Sequence, residues 1–189
     1  QEEGVRPEEI SSVIVTHLHF DHAGGLSRND TSGEAVRIFP NAEVVVQRQE
    51  WEDALANKST MSKTYLRSHL DPIREAVRLV EGSEEVLPGI RVEPLPGHTW
   101  GIQGVFFDDQ DNRTIVFPAD MMPTAAHVHP AASMGYDMLP HEAMKTKRAF
   151  LERAAGEGWQ IALGHEPGKA MVNARFHTDS GYALDAIPG

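Results

Sequence analysis

Apolar residues along this chain come in short runs between polar turns, and most runs have the length of strands rather than of helices. Several runs are rich in Val, Ile and Phe or alternate with polar residues, which is the pattern of strands. The predicted strands cover residues 13–16, 42–47, 89–95, 101–107, 113–117 and 159–163. Residues 108–112 are polar and predict the turn of a hairpin, whereas residues 26–35 predict a loop.

Helical periodicity separates some of these strands. We expect helices at residues 48–56 and 63–80, the second broken near Pro72 because a proline inside a helix removes a hydrogen bond. Residues 142–155 form the clearest amphipathic helix. Its apolar face carries Phe150, Leu151 and Ala154, and the face predicted to be exposed carries Lys145, Lys147, Arg148 and Glu152. Strands mixed with helices, without a repeat or a linker, predict one α/β or α+β domain over residues 1–189.

The segment after the first predicted strand contains four potential metal ligands within six residues. His17 and His19 are two apart, so they lie on the same side of an extended segment, and Asp21 and His22 follow at once. A single zinc ion rarely needs four ligands this close together. Two adjacent metal sites do, when each is completed by ligands from distant parts of the chain.

Three further metal-competent side chains follow strands later in the chain. His98, Asp120 and His165 each come within three residues of the end of a predicted strand. Open sheets commonly place their sites just past the carboxyl ends of their strands. The strand ends therefore predict that these three side chains join the first four in one cluster.

The order His-x-His-x-Asp-His, Gly-His-Thr, an Asp after a strand, and Gly-His resembles the metallo-β-lactamase-fold hydrolase superfamily over about residues 13–165. This resemblance implies an αββα sandwich with a dinuclear metal site, usually zinc, at one edge of the sheets. The ligands that it implies are His17, His19 and His98 for the first ion, Asp21, His22 and His165 for the second, and Asp120 bridging the two. Members of the superfamily normally have several strands before the His-rich motif, so we expect this chain to be a fragment that lacks the N-terminal strands.

Such a ligand set has a direct chemical use. Imidazoles and shared oxygen ligands leave an open position on the first ion, as in catalytic sites. Two neighbouring cations can hold a hydroxide between them, with the pKa of the water lowered to around 7, and this hydroxide can attack a carbonyl or phosphoryl centre. Asp21 and Asp120 are the predicted catalytic residues, and Asp21 can also accept a proton during attack. Zinc suits these donors best, although Fe, Mn, Co and Ni bind similar sets.

Composition narrows the function further. The chain has 17 Lys and Arg against 28 Asp and Glu, a formal net charge of −11, which argues against binding to nucleic acid or to anionic membranes. The absence of Cys excludes disulfides, thiolate ligands and Cys nucleophiles. No apolar stretch has the length of a membrane span. We expect a cytoplasmic protein that acts on a small molecule, with a homo-oligomer left open.

Within the superfamily, the residues favour the lactonase and organophosphate-hydrolase branch. The absence of Cys excludes β-lactamases with a Cys ligand, and the bridging Asp120 counts against the all-His lactamases. The acidic charge counts against a tRNA-processing nuclease, and the complete ligand set against a one-iron sulfur dioxygenase. Pro123 stands where the lactonases have a Tyr, three residues after the bridging Asp, which counts against a specific homoserine-lactone substrate.

The predicted function is hydrolysis of an ester-like bond in a lactone, a carboxylic ester or a phosphotriester, through a metal-bridging hydroxide. A glyoxalase II-like thioesterase and a non-catalytic metal-binding module of the same fold are the alternatives. The Met-rich loop over residues 121–140 is the candidate wall of a substrate pocket, because Met side chains adapt to varied apolar ligands. Its packing against the sheet or a partner subunit is the other interpretation. The candidate substrate contacts are Met121, Met122, His127, His129 and Tyr136.

Overall fold

Each half of the chain builds a β-sheet of its own. Gln1–Glu81 forms one unit with a three-stranded parallel sheet, and Gly82–Gly189 forms a second unit with a seven-stranded sheet. The computed structural model describes residues 4–61, 63–111, 113–178 and 181–187. Helices accompany the strands in both units, so the predicted mixed α/β class is confirmed. The prediction of one domain over residues 1–189 stays a prediction.

The parallel sheet of the first unit is centred on β4 (Glu43–Gln47), which pairs on one side with β1 (Ser12–Ile14) and on the other with β5 (Val77–Val80). A central parallel strand is covered on both faces, and the Val-Val-Val run of β4 is accordingly buried throughout. The α-helices among the described residues of this unit are α1 (Phe20–Ala23), α2 (Arg48–Leu55) and α3 (Arg67–Leu70).

The helix predicted over residues 63–80 was wrong at both ends, because the α-helix covers only Arg67–Leu70. After α3, Asp71–Ala76 forms a 3-10 turn that contains Pro72, so the predicted break is confirmed. The chain then enters β5, whose four residues pair in parallel register with Val44–Gln47. Apolar β-branched residues suit a half-buried strand, and pairing with β4 outweighs the weak helical periodicity of this segment.

The loop predicted over residues 26–35 was also wrong in part. β2 (Ser27–Asn29) and β3 (Ala35–Arg37) form an antiparallel hairpin. The turn between them is closed by Asp30, whose carboxylate accepts hydrogen bonds from the backbone amides of Ser32 and Glu34 at 2.8 and 3.0 Å. The pattern missed this hairpin because its first strand is entirely polar.

The second unit contains one continuous sheet, with the strands β6 (Glu84–Leu87), β7 (Ile90–Pro94), β8 (Gln103–Asp108), β9 (Thr114–Phe117), β10 (Gln160–Ala162), β11 (Met171–His177) and β12 (Gly181–Ala186). Their order across the sheet is β12–β11–β10–β9–β8–β7–β6. Neighbours are antiparallel except for β9 and β10. That pair is parallel because a crossover containing α4 (Pro140–Glu157) joins the two strands.

Most of the remaining element predictions are confirmed. The other predicted strands and helices differ from the structure by at most two residues at their ends. β8 and β9 form the predicted hairpin, although Asn112 of its predicted turn lies outside the described residues. β6, β11 and β12 were not predicted. Among the described residues, no helix combines the length and the apolar character needed to cross a lipid bilayer.

The core of the second unit lies between the sheet and one face of α4. Phe150, Leu151 and Ala154 are buried there, as predicted. Lys147 was predicted to be exposed, but its relative exposure is only 2%. It occupies the same helical stripe as Leu151 and Ala154, and its ammonium group donates to the carbonyl oxygen of Ala132 at 2.5 Å. The apolar stem of a lysine can pack in a core when the charged end reaches an acceptor.

Adjacent phenylalanines in β8 provide a test of this core. Phe106 is fully buried and makes an edge contact with Trp159, at 5.4 Å between ring centroids, whereas Phe107 is 42% exposed. Removing a buried aromatic side chain leaves a cavity, so Phe106→Ala should lower the free energy of unfolding by about 3–5 kcal/mol. Phe107→Ala should cost less than about 1 kcal/mol. Urea denaturation followed by tryptophan fluorescence measures both variants, and equal losses would contradict the assigned strand orientation.

Candidate metal centre

The first unit supplies four of the predicted ligands from one short segment. His17 and His19 are buried after β1, and their ring centroids lie 4.6 Å apart. The ring of His22, in α1, lies 4.0 Å from that of His17. Asp21, which is 42% exposed, has a carboxylate oxygen 3.5 Å from the Nε2 atom of His22. The segment therefore presents two pairs of donors, His17 with His19 and Asp21 with His22, and the donor atoms in each pair lie within 4.8 Å of each other.

A buried carboxylate on α2 holds this segment in place. The Oε1 atom of Glu50 accepts a hydrogen bond from the amide of Leu18, between the two buried histidines, at 2.9 Å. It also accepts one from the hydroxyl of Tyr65 at 3.2 Å, and the Tyr65 ring lies 5.2 Å from that of His19. Burial, reinforced by the charge of Glu50, raises the pKa of Tyr65, so the hydroxyl keeps the proton that it donates. Glu50 was not singled out from the sequence.

The position of Glu50 leads to a prediction for stability. Glu50→Ala should lower the free energy of unfolding by about 1–3 kcal/mol for each buried donor that loses its acceptor, here the Leu18 amide and the Tyr65 hydroxyl. Glu50→Gln keeps a carbonyl oxygen of the same size and should lose much less. Urea denaturation of the two variants checks this difference, and similar losses would show that the charge matters rather than the acceptor.

The second unit supplies the other three predicted ligands. His98, Asp120 and His165 follow β7, β9 and β10, and the structure brings their side chains together. One oxygen of Asp120 lies 3.2 Å from the Nε2 atom of His165, and the other lies 3.5 Å from the Nε2 atom of His98. His98 and Asp120 are buried, while the side chain of His165 is partly exposed. Each oxygen of the carboxylate therefore faces a different imidazole.

Asp120 follows a turn with a strained backbone conformation. Ala119, directly before it, has a φ of +50° and is fully buried. The left-handed conformation costs a residue with a Cβ atom about 1–2 kcal/mol. Strain of this kind persists where the surrounding packing enforces it, and it is common at functional sites.

Close packing against α4 fixes the turn that carries His98. Gly97, with a φ of +150°, approaches α4 so closely that a Cβ atom there would lie 2.5 Å from the Cα atom of Ala143. The hydroxyl of Thr146 donates to the carbonyl of Pro96 at 2.7 Å. Only glycine fits at the contact with Ala143.

This contact predicts that alanine substitution affects stability differently at two glycines. Gly97→Ala should destabilise the protein by about 1–3 kcal/mol, because the clash involves helix backbone that cannot move aside. Gly156→Ala, inside α4 with open space around it, should be neutral or stabilise by up to about 1 kcal/mol. Thermal unfolding of both variants measures the two effects, and a Gly97→Ala protein as stable as the unsubstituted one would contradict the close approach.

The turn that carries His165 is tied to the loop over residues 121–140. The amide of His165 donates to the carbonyl of Pro123 at 3.0 Å. Glu166 accepts from the amides of Ala125 and Gly168, at 2.8 and 3.1 Å. These hydrogen bonds hold the His165 turn against the loop that follows Asp120.

The candidate substrate contacts in this loop have different environments. Met121 and Met122 belong to the hydrophobic core of the second unit, which favours a packing role. His127 is half-buried beside the hydroxyl of Thr124 at 2.8 Å, and burial lowers its pKa. His129 is exposed, and Tyr136 is exposed with its ring 5.8 Å from that of His98. The assignment of all five to a substrate pocket stays a prediction.

One further carboxylate beside the ligands was not found from the sequence. Asp137, at the end of the same loop, lies 2.9 Å from the Nδ1 atom of His98 through its Oδ1 atom. The two residues are 39 positions apart. No local motif links them, so only the fold could reveal the contact.

Comparison with known proteins places the chain in a family. A sequence model described as the Metallo-beta-lactamase superfamily matches residues 1–165. The chain belongs to this superfamily. The predicted family resemblance is therefore confirmed.

Its relatives in the superfamily include lactonases. The N-acyl homoserine lactonase AiiA of Bacillus thuringiensis subsp. kurstaki is 29% identical over 164 residues, which cover 86% of this chain and 58% of the relative. The N-acyl homoserine lactonase AttM of Rhizobium johnstonii is 24% identical over 170 residues, which cover 87% of this chain and 61% of that relative. The chain thus spans about 58% of the length of the first of these curated relatives.

Solved structures agree on the fold. A probable metal-dependent hydrolase from Staphylococcus aureus superposes with a TM-score of 0.83 at 28% identity, covering 100% of this chain and 67% of that one. The quorum-quenching lactonase AidC gives a TM-score of 0.85 at 17% identity, and the match covers 100% of this chain and 68% of AidC. The metallo-β-lactamase fold predicted for the chain is confirmed.

Proposed function

We propose that the protein is a metal-dependent hydrolase that cleaves an ester-like bond at a site with two divalent cations. The position of Asp120 carries the proposal, since its two oxygens lie 3.2 Å from His165 and 3.5 Å from His98. These two imidazoles are the predicted ligands of different ions. A carboxylate between them, with one oxygen towards each, suits a bridging ligand.

The chemistry of the predicted ligands suits this pair of cations. In the proposal His17, His19 and His98 would hold the first ion, Asp21, His22 and His165 would hold the second, and Asp120 would contribute to both. Burying polar rings side by side, as at His17 and His19, is favourable only when their nitrogens have strong partners. Neutral imidazoles and carboxylates without thiolates suit zinc, so zinc is the proposed metal. Fe, Mn, Co and Ni use similar donors.

The chain's own groups have separate tasks in the proposed reaction. When bound, the two cations supply an activated water and polarise the substrate oxygen. Asp120, buried and held between two imidazoles, would provide a fixed negative charge to the bound ions. The carboxylate of Asp21 is 42% exposed and can pass a proton to solvent after accepting it during attack.

The proposed substrates are small molecules with a lactone, carboxylic ester or phosphotriester bond. The relatives named N-acyl homoserine lactonases support hydrolysis of a lactone. Pro123, three residues after Asp120, keeps the proposal at the level of the ester-like bond rather than one lactone. Tyr136 is the proposed substrate contact with the best geometry, because it is exposed and its ring adjoins that of His98.

Metal analysis combined with hydrolysis assays tests the proposal. The protein should bind two equivalents of zinc and hydrolyse at least one of a panel of lactones, p-nitrophenyl esters and phosphotriesters, and a chelator should abolish that activity. Asp120→Asn should lower kcat/KM by about 100-fold or more, at least the loss caused by removing a supporting residue of a metal site. Asp111→Asn, an exposed carboxylate in the β8–β9 turn, is the matched control and should leave both readouts unchanged.

Other outcomes would point elsewhere. Hydrolysis of S-lactoylglutathione alone would favour a glyoxalase II-like thioesterase. Two bound zinc ions without turnover of any substrate would favour a non-catalytic metal-binding module. A protein that binds no divalent metal would exclude the proposed function.

A further inference from the structure

The carboxylate of Asp137 is built into the structure behind His98. Its side chain is only 6% exposed, and its Oδ1 atom lies 2.9 Å from the Nδ1 atom of His98. Its Oδ2 atom accepts hydrogen bonds from the hydroxyl of Ser133 at 2.8 Å and from the amide of Met134 at 2.9 Å. Each oxygen therefore has a defined partner, and the carboxylate cannot rotate without losing these bonds.

This arrangement determines which nitrogen of His98 carries the proton. The hydroxyl of Ser133 and the amide of Met134 both donate to the Oδ2 atom of Asp137, and its Oδ1 atom faces the Nδ1 atom of His98. An ionised carboxylate only accepts hydrogen bonds, so the Nδ1 atom of His98 must be the donor. The Nε2 atom, on the side of Asp120, is then the nitrogen with a lone pair.

The backbone of the same loop holds His98 from a second direction. The amide of Met138 donates to the carbonyl of His98 at 3.1 Å, and the amide of Leu139 donates to that of Gly97 at 2.9 Å. The buried ammonium group of Lys147 fastens the beginning of this segment by donating to the carbonyl of Ala132. The carboxylate is thus presented by a segment that is itself anchored at both ends.

We propose that Asp137 is a positioning residue that fixes the tautomer and the orientation of His98 for metal binding. The inference rests on the proposed function, because it assumes that His98 is a metal ligand. A histidine ligand commonly donates its other ring N–H to a carboxylate, and loss of that carboxylate costs about 10–100-fold in metal affinity or activity. Nothing in the motif that contains His98 indicates this role, which depends on a residue in the loop before α4.

Asp137→Asn is the sharpest single change. An asparagine that turns its oxygen towards His98 must place its NH₂ group against the amide of Met134, which is also a donor. The opposite orientation places the NH₂ group against the N–H of His98. Neither orientation lets the side chain accept from both the His98 ring and the Met134 amide. The negative charge is lost as well.

The test measures metal binding directly as well as activity. The dissociation constant for Zn²⁺, measured by competition with a chromophoric chelator, should rise by about 10–100-fold in Asp137→Asn. The visible absorption spectrum of the Co²⁺-loaded protein should change, because one imidazole ligand is reoriented. Asp185→Asn removes an exposed carboxylate paired with Arg175 in the same unit, and it should leave the constant and the spectrum as they are.

Each outcome separates this inference from the proposed function. If the unsubstituted protein binds no Zn²⁺, the proposed function and this inference both fail. If it binds Zn²⁺ and Asp137→Asn matches Asp185→Asn in affinity and spectrum, only the role of Asp137 is overturned. Should Asp137→Asn fail to fold, Ser133→Ala decides, since it removes one donor to the carboxylate. Weaker Zn²⁺ binding in that folded variant supports the role, and unchanged binding overturns it.

Discussion

A buried imidazole needs a partner for each ring nitrogen, and this requirement accounts for much of the structure around the candidate ligands. Leaving a buried polar group unsatisfied costs about 1–3 kcal/mol. The chain buries His17, His19 and His98, so the surrounding shell must supply polar groups in an otherwise apolar interior. Asp137, in the loop before α4, supplies such a partner to the ring of His98, and Glu50 on α2 supplies one to the backbone amide between His17 and His19.

These two carboxylates act on different parts of the ligand segments. Glu50 accepts from the amide of Leu18 and thereby fixes backbone between two histidines. Asp137 accepts from the ring of His98 and thereby fixes a side chain. The difference follows from the local structure. The first segment leads into the very short helix α1, which gives little rigidity of its own. The His98 turn is already fixed by the close packing of Gly97 against α4.

Sequence patterns predicted those parts of the structure that depend on neighbours along the chain. The ligands could be predicted because they lie in the compact motif after β1 or follow the ends of later strands, and strands such as β4 and β10 are marked by their own apolar runs. β5 was mistaken for helix because its strand conformation comes from pairing with β4, more than thirty residues earlier. The roles of Asp137 and Glu50 could not be predicted for the same reason, because a single carboxylate in the sequence does not indicate which distant group it will contact in the fold.

Lys147 shows how such a long-range requirement can override a local pattern. Its charge marked it as a surface residue, although its position lies on the apolar stripe of α4 with Leu151 and Ala154. Burial lowers the pKa of its ammonium group, so the charged form is less favourable there than in water, and the charge of Asp137 partly offsets that effect. A purely apolar residue would avoid this cost, but it could not donate to the carbonyl of Ala132. The buried lysine is therefore best explained by the loop that it fastens, because that loop places Tyr136 at the surface and Asp137 behind His98 in consecutive positions.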